Sequence, residues 1–221
     1  MKSNLPILWS CKEILFLFKE QQIWEKEMKK LITTLLALCL TTTASFSDVK
    51  LGIIIGFTGP IESLTPDMAA GAELAIDEVN KSGSFSMGKV SGIRADSTCI
   101  DSSAATAAAE RLITSDKVNG LMGADCSGVT TAILQQVALA NGMVMVSPSA
   151  TSPALSTVED NNLFFRTAPS DARQGQVIAD ILQEKGMSNV AISYVNNDYG
   201  KGLAASIEAN HKAAGGTVTI S

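Results

Sequence analysis

The stretch that decides the fold runs from Gly120-Leu-Met-Gly-Ala-Asp-Cys-Ser-Gly128 to Val144-Met-Val-Ser-Pro-Ser-Ala-Thr151. Its short apolar runs, residues 119–122 and 143–146, are bounded by glycine and proline, which is typical of buried parallel strands. Between them, apolar residues recur at helical spacing, namely Val129, Ile133, Val137 and Ala140. The pattern predicts a strand–helix–strand crossover, which places both strand ends at one edge of a sheet.

Polar turns follow both strands and therefore face one crevice, where open α/β sheets bind small ligands. Ser127 and Gly128 lie where the predicted helix begins, and the N–H groups and dipole there favour a carboxylate or phosphate. The hydroxyls of Ser127 and Thr151 can each add a hydrogen bond. Neither turn contains lysine or arginine, which favours a small carboxylate. A plain helix cap and a plain turn residue fit the same pattern, which does not separate the two interpretations.

The alternation of strands and helices continues on both sides of this unit. Further strands are predicted at residues 49–56, 93–98, 190–195 and 217–220. Helices are predicted at residues 67–81, 104–114, 171–184 and 202–214. An extended crossing segment is expected at residues 163–167. The fold class is α/β, with a doubly wound parallel-sheet lobe followed by an incomplete second α/β lobe.

The first predicted helix has two features that the structure can test. Asp67 is expected to cap its N-terminus, and Ser82-Gly83 to end it. The face expected to pack on the sheet comprises Met68, Gly71 (or Ala72), Ala75 and Val79.

Several motifs, in order along the chain, resemble the branched-chain amino acid binding proteins of bacterial ABC transporters, which are type I periplasmic binding proteins. The matching features are Cys99, Gly123-Ala-Asp-Cys-Ser127, Pro148-Ser-Ala-Thr-Ser-Pro153, Thr58-Gly-Pro60 and Asp198-Tyr-Gly-Lys-Gly202. The resemblance implies a type I periplasmic-binding-protein fold with a ligand-binding lobe 1 at residues 48–165. Residues 166–221 would form the hinge and the start of lobe 2. Because the chain stops at Ser221, inside a predicted strand, we expect a C-terminally truncated fragment with an incomplete second lobe.

The same resemblance implies the ligand contacts. Ser127 and Thr151 would hold the α-carboxylate of an amino acid through hydroxyl and backbone N–H groups. The backbone carbonyl of Ser149 would receive the α-ammonium, and Tyr199 would close over the ligand from the second lobe. Leu64 departs from the family, because members that bind leucine, isoleucine or valine have an aromatic residue at about this point. The identity of the ligand side chain is therefore left open.

Outside residues 1–47, the chain contains two cysteines, Cys99 and Cys126, and each follows a predicted strand. An even pair suits an oxidising compartment, and the family joins the matching cysteines in a disulfide. The rival interpretations are a nucleophilic Cys126 and a periplasmic hydrolase that uses Ser127. Both need a histidine base, and the one histidine, His211, is expected at the surface of another helix. The protein is therefore predicted not to be an enzyme.

The N-terminal residues are typical of a targeting segment. Residues 28–47 combine a basic start, a short apolar core and small residues before Asp48, which predicts a cleaved secretory signal peptide and a periplasmic location. The apolar core is too short for a comfortable membrane span. Residues 1–27 precede a second natural start at Met28, and we interpret them as an overextended N-terminus rather than an anchor.

Charge and composition exclude several classes of function. Residues 1–47 hold six of the 17 basic and four of the 22 acidic side chains, so the remainder carries 11 basic against 18 acidic residues, a net charge of −7. This acidity, without a basic patch, argues against nucleic acid. No cluster has metal-ligand spacing, and the spacing of Gly52, Gly56 and Gly59 does not fit a dinucleotide loop. Neither a metal nor another cofactor is predicted.

The sequence thus predicts an exported, monomeric solute-binding protein without a reaction step. It would capture an amino acid, branched-chain-type or a related small carboxylate, between two lobes and present it to an ABC permease in the inner membrane. The alternative is an amino-acid- or amide-sensing receptor domain of the same fold. The periplasmic hydrolase is the less favoured rival.

Overall fold

The computed structural model describes residues 24, 26, 28–30 and 48–220 of the chain. The chain divides into two units, Met1–Ser45 and Phe46–Ser221, and the described residues of the first unit are helical. The predicted N-terminal extension, residues 1–27, and the predicted signal peptide, residues 28–47, lie largely outside the described residues. Among the residues that the structure does describe, no helix is both long and apolar enough to cross a membrane.

The second unit contains a five-stranded parallel sheet with strand order β2-β1-β3-β4-β5. Its strands are β1 Val49–Ile55, β2 Val90–Asp96, β3 Gly120–Gly123, β4 Met145–Ser147 and β5 Phe164–Arg166. Its helices are α1 Thr65–Ser82, α2 Ser102–Thr114 and α3 Ser127–Ile133. Helix α3 continues through a π-helical segment, Leu134–Ala138, and a last turn, Leu139–Asn141. The α/β class predicted from the alternation is confirmed.

Apolar side chains of β1 explain why helices cover both faces of this sheet. Ile53, Ile54 and Ile55 are at most 1% exposed. Ile54 packs into a core with α2 and α3, whereas Ile53 and Ile55 pack with Ala69 of α1 on the opposite face. A strand that is buried on both faces is an unbroken apolar run, and this strand consists largely of one. The sheet is therefore doubly wound.

The predicted crossing segment, residues 163–167, forms a full strand of the sheet. Phe164, Phe165 and Arg166 of β5 pair in parallel with Met145, Val146 and Ser147 of β4. The chain then enters α4 Asp171–Glu184, β6 Asn189–Ala191, α5 Asp198–Ala213 and β7 Thr217–Ile220. Strands β6 and β7 form a separate two-stranded parallel sheet.

The strand predicted at residues 190–195 is shorter in the structure and ends at Ala191. Two further predicted boundaries differ for local reasons. Strand β2 begins three residues early, because it pairs with β1 residue for residue from Val90 to Asp96. Helix α5 begins at Asp198 rather than at residue 202, because the side chain of Asn197 caps it and accepts the N–H of Gly200 at 2.8 Å. Asparagine is among the strongest N-cap residues, and this one was overlooked in the sequence.

The predicted start of α1 is wrong, and its predicted buried face is right at Met68 and the alternative Ala72 but wrong at Gly71, Ala75 and Val79, which are exposed. The helix begins at Thr65, whose hydroxyl donates to the carbonyl of Gly56 at 2.9 Å, and Asp67 lies in the first turn without capping it. The sheet-facing residues are Thr65, Met68, Ala69, Ala72 and Ile76. Small apolar residues occur on several sides of this helix, so periodicity does not identify its buried face. That face is determined by packing of the bulky Ile76 against the sheet. The predicted stop is confirmed, since Gly83 adopts a left-handed conformation with φ of 65°.

The π-helical segment changes which residues of the α3 region are buried. Val129, Ile133 and Val137 are buried as predicted, but Ala140 is exposed. A π-turn inserts an extra residue into the helical repeat and so rotates the following residues about the axis. Leu134 and Ala138 therefore join the core.

His211 is buried, not at the surface as predicted. Its side chain is 0% exposed, and Nε2 lies 3.2 Å from the carbonyl oxygen of Ser188. The ring packs on Gly216, where a Cβ atom would approach Nε2 to 2.2 Å. The glycine leaves room for the imidazole at the turn that brings β7 beside β6. Among the described residues, Nδ1 of His211 is the one buried side-chain nitrogen or oxygen without a hydrogen-bond partner.

The predicted disulfide between Cys99 and Cys126 is confirmed. The two Cα atoms are 5.2 Å apart, and the residues are separated by 27 positions in sequence. The bond joins the turn after β2 to the residue that precedes α3, across the end of β1, which lies between β2 and β3. It therefore constrains the carboxyl edge of the sheet, where the strand-end turns meet.

We expect reduction of this disulfide to lower the melting temperature of the full chain. Closing a loop of this length stabilises a protein by about 3.5 kcal/mol in the chain-entropy model. Thermal melts followed by circular dichroism, with and without a phosphine reductant, measure the effect. A Cys99→Ser/Cys126→Ser variant is the control and should melt at the same lower temperature in both buffers. Equal melting temperatures for the oxidised and reduced wild-type protein would contradict the expectation.

Candidate ligand-binding site

The structure brings three of the predicted ligand-binding residues together at the carboxyl edge of the five-stranded sheet. Ser127 is the first residue of α3, and Ser149 and Thr151 lie in the turn after β4. The hydroxyl of Ser127 accepts the N–H of Ser152 at 3.1 Å, and the hydroxyl of Ser149 donates to the carbonyl of Asp125 at 3.0 Å. The two turns are thus bonded directly to each other.

The carboxylate of Asp125 connects the strand-end turns beneath this site. It is 3% exposed, and its Oδ2 accepts the N–H of Gly56, after β1, at 2.8 Å. Its Oδ1 accepts the hydroxyl of Ser97, after β2, at 2.9 Å. Together with the bond from Ser149 to its backbone carbonyl, Asp125 joins the turns that follow four strands. Both carboxylate oxygens are satisfied, as a buried polar group requires.

Ser147 and Gly123 hold neighbouring strands together at the same edge: Ser147 bonds β4 to the residue after β3, and Gly123 lets β3 approach β1 closely. The buried Ser147 hydroxyl donates to the carbonyl of Ala124 and accepts the N–H of Ala150 at 3.0 Å. Gly123 has a φ of 138°, and a Cβ atom there would lie 2.0 Å from the carbonyl oxygen of Ile54. Only glycine fits that position.

The hydroxyl of Thr151 is held by a buried carboxylate. It donates to Oδ2 of Asp171 at 2.8 Å, and the N–H of Asp171 donates to the carbonyl of Thr151 at 2.9 Å. Asp171 is 1% exposed and is the first residue of α4. A hydroxyl has one proton, so this bond leaves Thr151 with lone pairs to offer. Ser127 differs, because it uses a lone pair in its bond to Ser152 and keeps its proton.

The start of α5 lies against the site from the other side. The carboxylate of Asp198 is within 3.4 Å of the position that a Cβ on Gly128 would occupy. A Cβ on Gly202 would lie 3.0 Å from the hydroxyl of Ser152. Helix α3 begins without a side-chain cap, so a carboxylate group is found beside an uncapped helix start. Negative charge is favoured at such a position.

Tyr199 and Leu64 are not joined to this group by hydrogen bonds of the described residues. Tyr199 is 39% exposed and lines a cavity between α5 and the segment that follows β6, together with Ile192, Tyr194, Val195 and Leu203. Leu64 is 62% exposed at the start of α1, and its N–H donates to the carbonyl of Ile61 in its own loop. Their roles as ligand contacts remain predictions.

The Thr58-Gly-Pro60 motif forms a loop that is bound to the end of β2. The hydroxyl and N–H of Thr58 donate to the two carboxylate oxygens of Asp96, and the N–H of Thr98 donates to Oδ1 at 2.8 Å. Partial burial raises the pKa of Asp96, but the hydroxyl of Thr58 and the N–H groups of Thr98, Thr58 and Phe57 outweigh it and hold the pKa below its ordinary value.

The described residues test the predicted absence of a metal site and the rival hydrolase hypothesis. No group of three histidine, cysteine, aspartate or glutamate side chains within them is placed to hold a metal ion. The hydrolase hypothesis required His211 as a base for Ser127, but that ring is buried against Ser188 and Gly216, beside the two-stranded sheet. No hydrogen bond connects it with Ser127 in the part of the chain that the structure describes.

Sequence reasoning overlooked Asp125 and Asp171 as parts of the site. Asp125 is an acid directly after a buried strand, beside a cysteine, and that position was the available signal. Asp171 was interpreted only as part of a helix start with Ser170, because acidic residues are common in first turns. Ser170 does cap α4 and accepts the N–H of Ala172 at 3.2 Å, so the carboxylate of Asp171 is available to Thr151.

The model of the receptor family ligand binding region matches residues 67–221 of this chain. The Leu/Ile/Val-binding protein of Citrobacter freundii is 31% identical over 193 residues, which cover 87% of this chain and 52% of that protein. The ABC transporter substrate-binding protein from Desulfitobacterium hafniense in complex with Leu is similar in structure, with 28% identity, a TM-score of 0.66, and coverage of 79% of this chain and 50% of that one. A leucine-binding protein from Thermotoga maritima aligns with 25% identity and a TM-score of 0.70, covering 78% of this chain and 48% of that one.

The chain therefore spans about half the length of the relatives it matches. Within that half, the similarity in structure confirms the predicted periplasmic-binding-protein fold.

We expect the bonds of Asp96 to stabilise the fold at neutral pH and to be lost in acid. A carboxyl group whose pKa is lowered by folding contributes stability above its ordinary value of 3.8 and loses it as the pH falls through the lowered value. The free energies of unfolding of wild type and Asp96→Asn should therefore differ most near pH 7 and converge below about pH 4. Urea unfolding across this range measures the difference. Asp77→Asn, at an exposed acid of α1, is the control, and a wild-type–Asp96→Asn gap that stays constant with pH would contradict the expectation.

Proposed function

Because the chain belongs to the receptor family of ligand-binding regions, we propose that it is the amino-acid-binding part of an exported solute-binding protein for ABC-type uptake. The proposed ligand is a zwitterionic amino acid of the branched-chain type or a related small carboxylate. In this proposal, residues 48–165 form the first lobe, and residues 166–221 form the hinge and the start of the second.

The observation that carries the proposal is the opposite polarity of the Ser127 and Thr151 hydroxyls. Ser127 accepts a backbone N–H and keeps its proton, so it can donate to a carboxylate. Thr151 gives its proton to Asp171 and presents lone pairs, so its hydroxyl suits an ammonium group. Donors at one end and acceptors at the other match the α-carboxylate and α-ammonium of an amino acid. This proposal therefore differs from the sequence prediction: the hydroxyl of Thr151 contacts the ammonium of the ligand, and only the backbone N–H of Thr151 contacts its carboxylate.

The charge of Asp171 supports an ammonium over a neutral or anionic group. This carboxylate is almost wholly buried, and none of the ion pairs among the described residues includes it. A buried charge is costly unless it is paired and hydrogen-bonded. A ligand ammonium placed between Thr151, Asp171 and the carbonyl of Ser149 would supply the missing positive charge.

Ligand entry in this proposal requires the start of α5 to move. Asp198 lies beside Gly128, at the place proposed for the ligand carboxylate. A ligand that bridges the turns of the five-stranded sheet and the first turn of α5 would hold the two parts together. It would shift the population towards the closed form, since it contacts both parts only there. The structural relative from Desulfitobacterium hafniense is named as an ABC transporter substrate-binding protein, which favours presentation to a permease over sensing.

Isothermal titration of the full chain with leucine, isoleucine and valine tests the proposed function. Ser127→Ala removes a hydrogen bond to the carboxylate, and Asp171→Asn removes the charge that faces the ammonium. Each variant should weaken binding by about 1–3 kcal/mol, the range for a hydrogen bond to a charged group. In the wild type, 4-methylpentanoate and 3-methylbutylamine, which lack one charged group each, should bind far more weakly than leucine.

The matched control is Thr157→Ala, which removes a hydroxyl that donates to the carbonyl of Ala154 at 3.3 Å, without altering Ser127, Thr151, Asp171 or the acceptors of Arg166. Its affinity for leucine should stay near that of the wild type. The proposal fails if no branched-chain amino acid binds to the folded full chain. It also fails if Ser127→Ala and Asp171→Asn both retain the wild-type affinity.

Export is the second part of the proposal and has its own measurement. Residues 28–47 are proposed to direct secretion and to be removed before Asp48. Intact-mass analysis of the protein from the periplasmic fraction of a Gram-negative host should give a chain that begins at Asp48. A mature chain that begins at Met1 or Met28, or one found only in the cytoplasm, would refute this part while leaving the ligand proposal standing.

A further inference from the structure

Arg166, the last residue of β5, is bonded to the ligand turn on both sides of Thr151. Its Nη1 atom donates to the carbonyl of Ser152 at 2.9 Å and to the carbonyl of Ala150 at 3.3 Å. Its Nη2 atom donates to the hydroxyl of Ser156. We propose that Arg166 is a positioning residue that orients the backbone of Thr151 towards the carboxylate of the bound ligand. This inference rests on the proposed function.

The planarity of the peptide bond explains how Arg166 acts through Thr151. The carbonyl of Ala150 and the N–H of Thr151 belong to one trans peptide group, in which the two bonds point in opposite directions. Because the carbonyl of Ala150 is directed at the guanidinium on β5, the N–H of Thr151 is directed away from it. The hydroxyl of Ser127 contacts the next peptide group of the same turn, where it accepts the N–H of Ser152. Arg166 thereby directs the N–H of Thr151 towards the ligand carboxylate, to which the hydroxyl of Ser127 is also proposed to donate.

The chemistry of the guanidinium suits this task. Arg166 is only partly exposed, and its acceptors are uncharged oxygens from three residues of one turn. Hydrogen bonds from a charged donor are stronger than those from a neutral one. A rigid fork also fixes the relative directions of its acceptors, which the single ammonium of lysine does not do. None of the ion pairs among the described residues includes Arg166, so its charge is directed at the turn.

The position of Arg166 strengthens the inference. Asp171, five residues later, holds the hydroxyl and the carbonyl of the same Thr151. The residues between them carry the chain from the last strand of the five-stranded sheet into α4. Thr151 is therefore fixed from two ends of one short segment: by Arg166 through the neighbouring carbonyls, and by Asp171 directly. The two residues fix different groups of Thr151, so their substitutions should weaken the binding of different ligand groups.

The test compares leucine with leucinol, which keeps the ammonium but replaces the carboxylate with a hydroxymethyl group. In the full chain, Arg166→Met should weaken leucine binding about tenfold, roughly the loss of one hydrogen bond to a charged group. It should weaken leucinol binding less than about twofold, because the contact it disturbs serves the carboxylate. Arg166→Lys should fall between wild type and Arg166→Met. Arg111→Met, which removes an arginine paired with Asp116 before β3, is the matched control and should leave both affinities unchanged.

A residue needed only for stability would weaken both ligands equally, so equal losses for leucine and leucinol would overturn the inference while leaving the proposed function intact. Unchanged leucine affinity in Arg166→Met would overturn it as well. Failure of the wild-type protein to bind any amino acid refutes the proposed function instead. Amide hydrogen exchange in the ligand-free protein then decides the inference. Exchange at residues 150–152 should be faster in Arg166→Met than in Arg111→Met, and equal rates would overturn it.

Discussion

The buried carboxylate of Asp125 is the constraint on which the carboxyl edge of the sheet depends. It accepts hydrogen bonds from the turns after β1 and β2, and its backbone carbonyl accepts the hydroxyl of Ser149 after β4. The turns that follow four strands are thus held together through one residue, Asp125, which is itself 3% exposed. The disulfide of Cys99 with the adjacent Cys126 acts on the same turns by covalent means. Polar groups placed on so constrained a frame lose little conformational freedom when a ligand arrives.

Sequence periodicity was sufficient where packing agreed with it. The bounds of α4 follow from a local pattern alone, because the cap at Ser170 satisfies an N–H group of its own first turn. The crossover around Ser127 and Thr151 was predictable for the related reason that βαβ units have a fixed handedness. The proximity of these two turns is therefore a consequence of topology, and no long-range information was needed to anticipate it.

Periodicity failed where a distant element decided the outcome. The buried face of α1 was set by packing of Ile76 against the sheet, and the burial of His211 by the glycine at position 216. In each case the deciding partner lies outside the helix concerned, so the helical pattern carries no record of it. The bond from Thr151 to Asp171 is of the same kind, since it spans 20 positions and joins a turn to the helix that follows the five-stranded sheet. Such contacts become visible only when the chain is folded.

The site contains two kinds of residue, which differ in how firmly the fold holds them. The groups proposed to recognise the ammonium and carboxylate come from turns that Asp125, Arg166 and Asp171 fix by hydrogen bonds. The residues predicted to contact the ligand side chain, Leu64 and Tyr199, lie on separate elements and are 62% and 39% exposed. In the proposed function, recognition of an amino acid as a class would thus depend on a preorganised frame, whereas selection among amino acids would depend on surfaces whose arrangement changes with the proposed closure. Motifs preserve the first kind of information, and for that reason they indicate the class of ligand more firmly than the side chain.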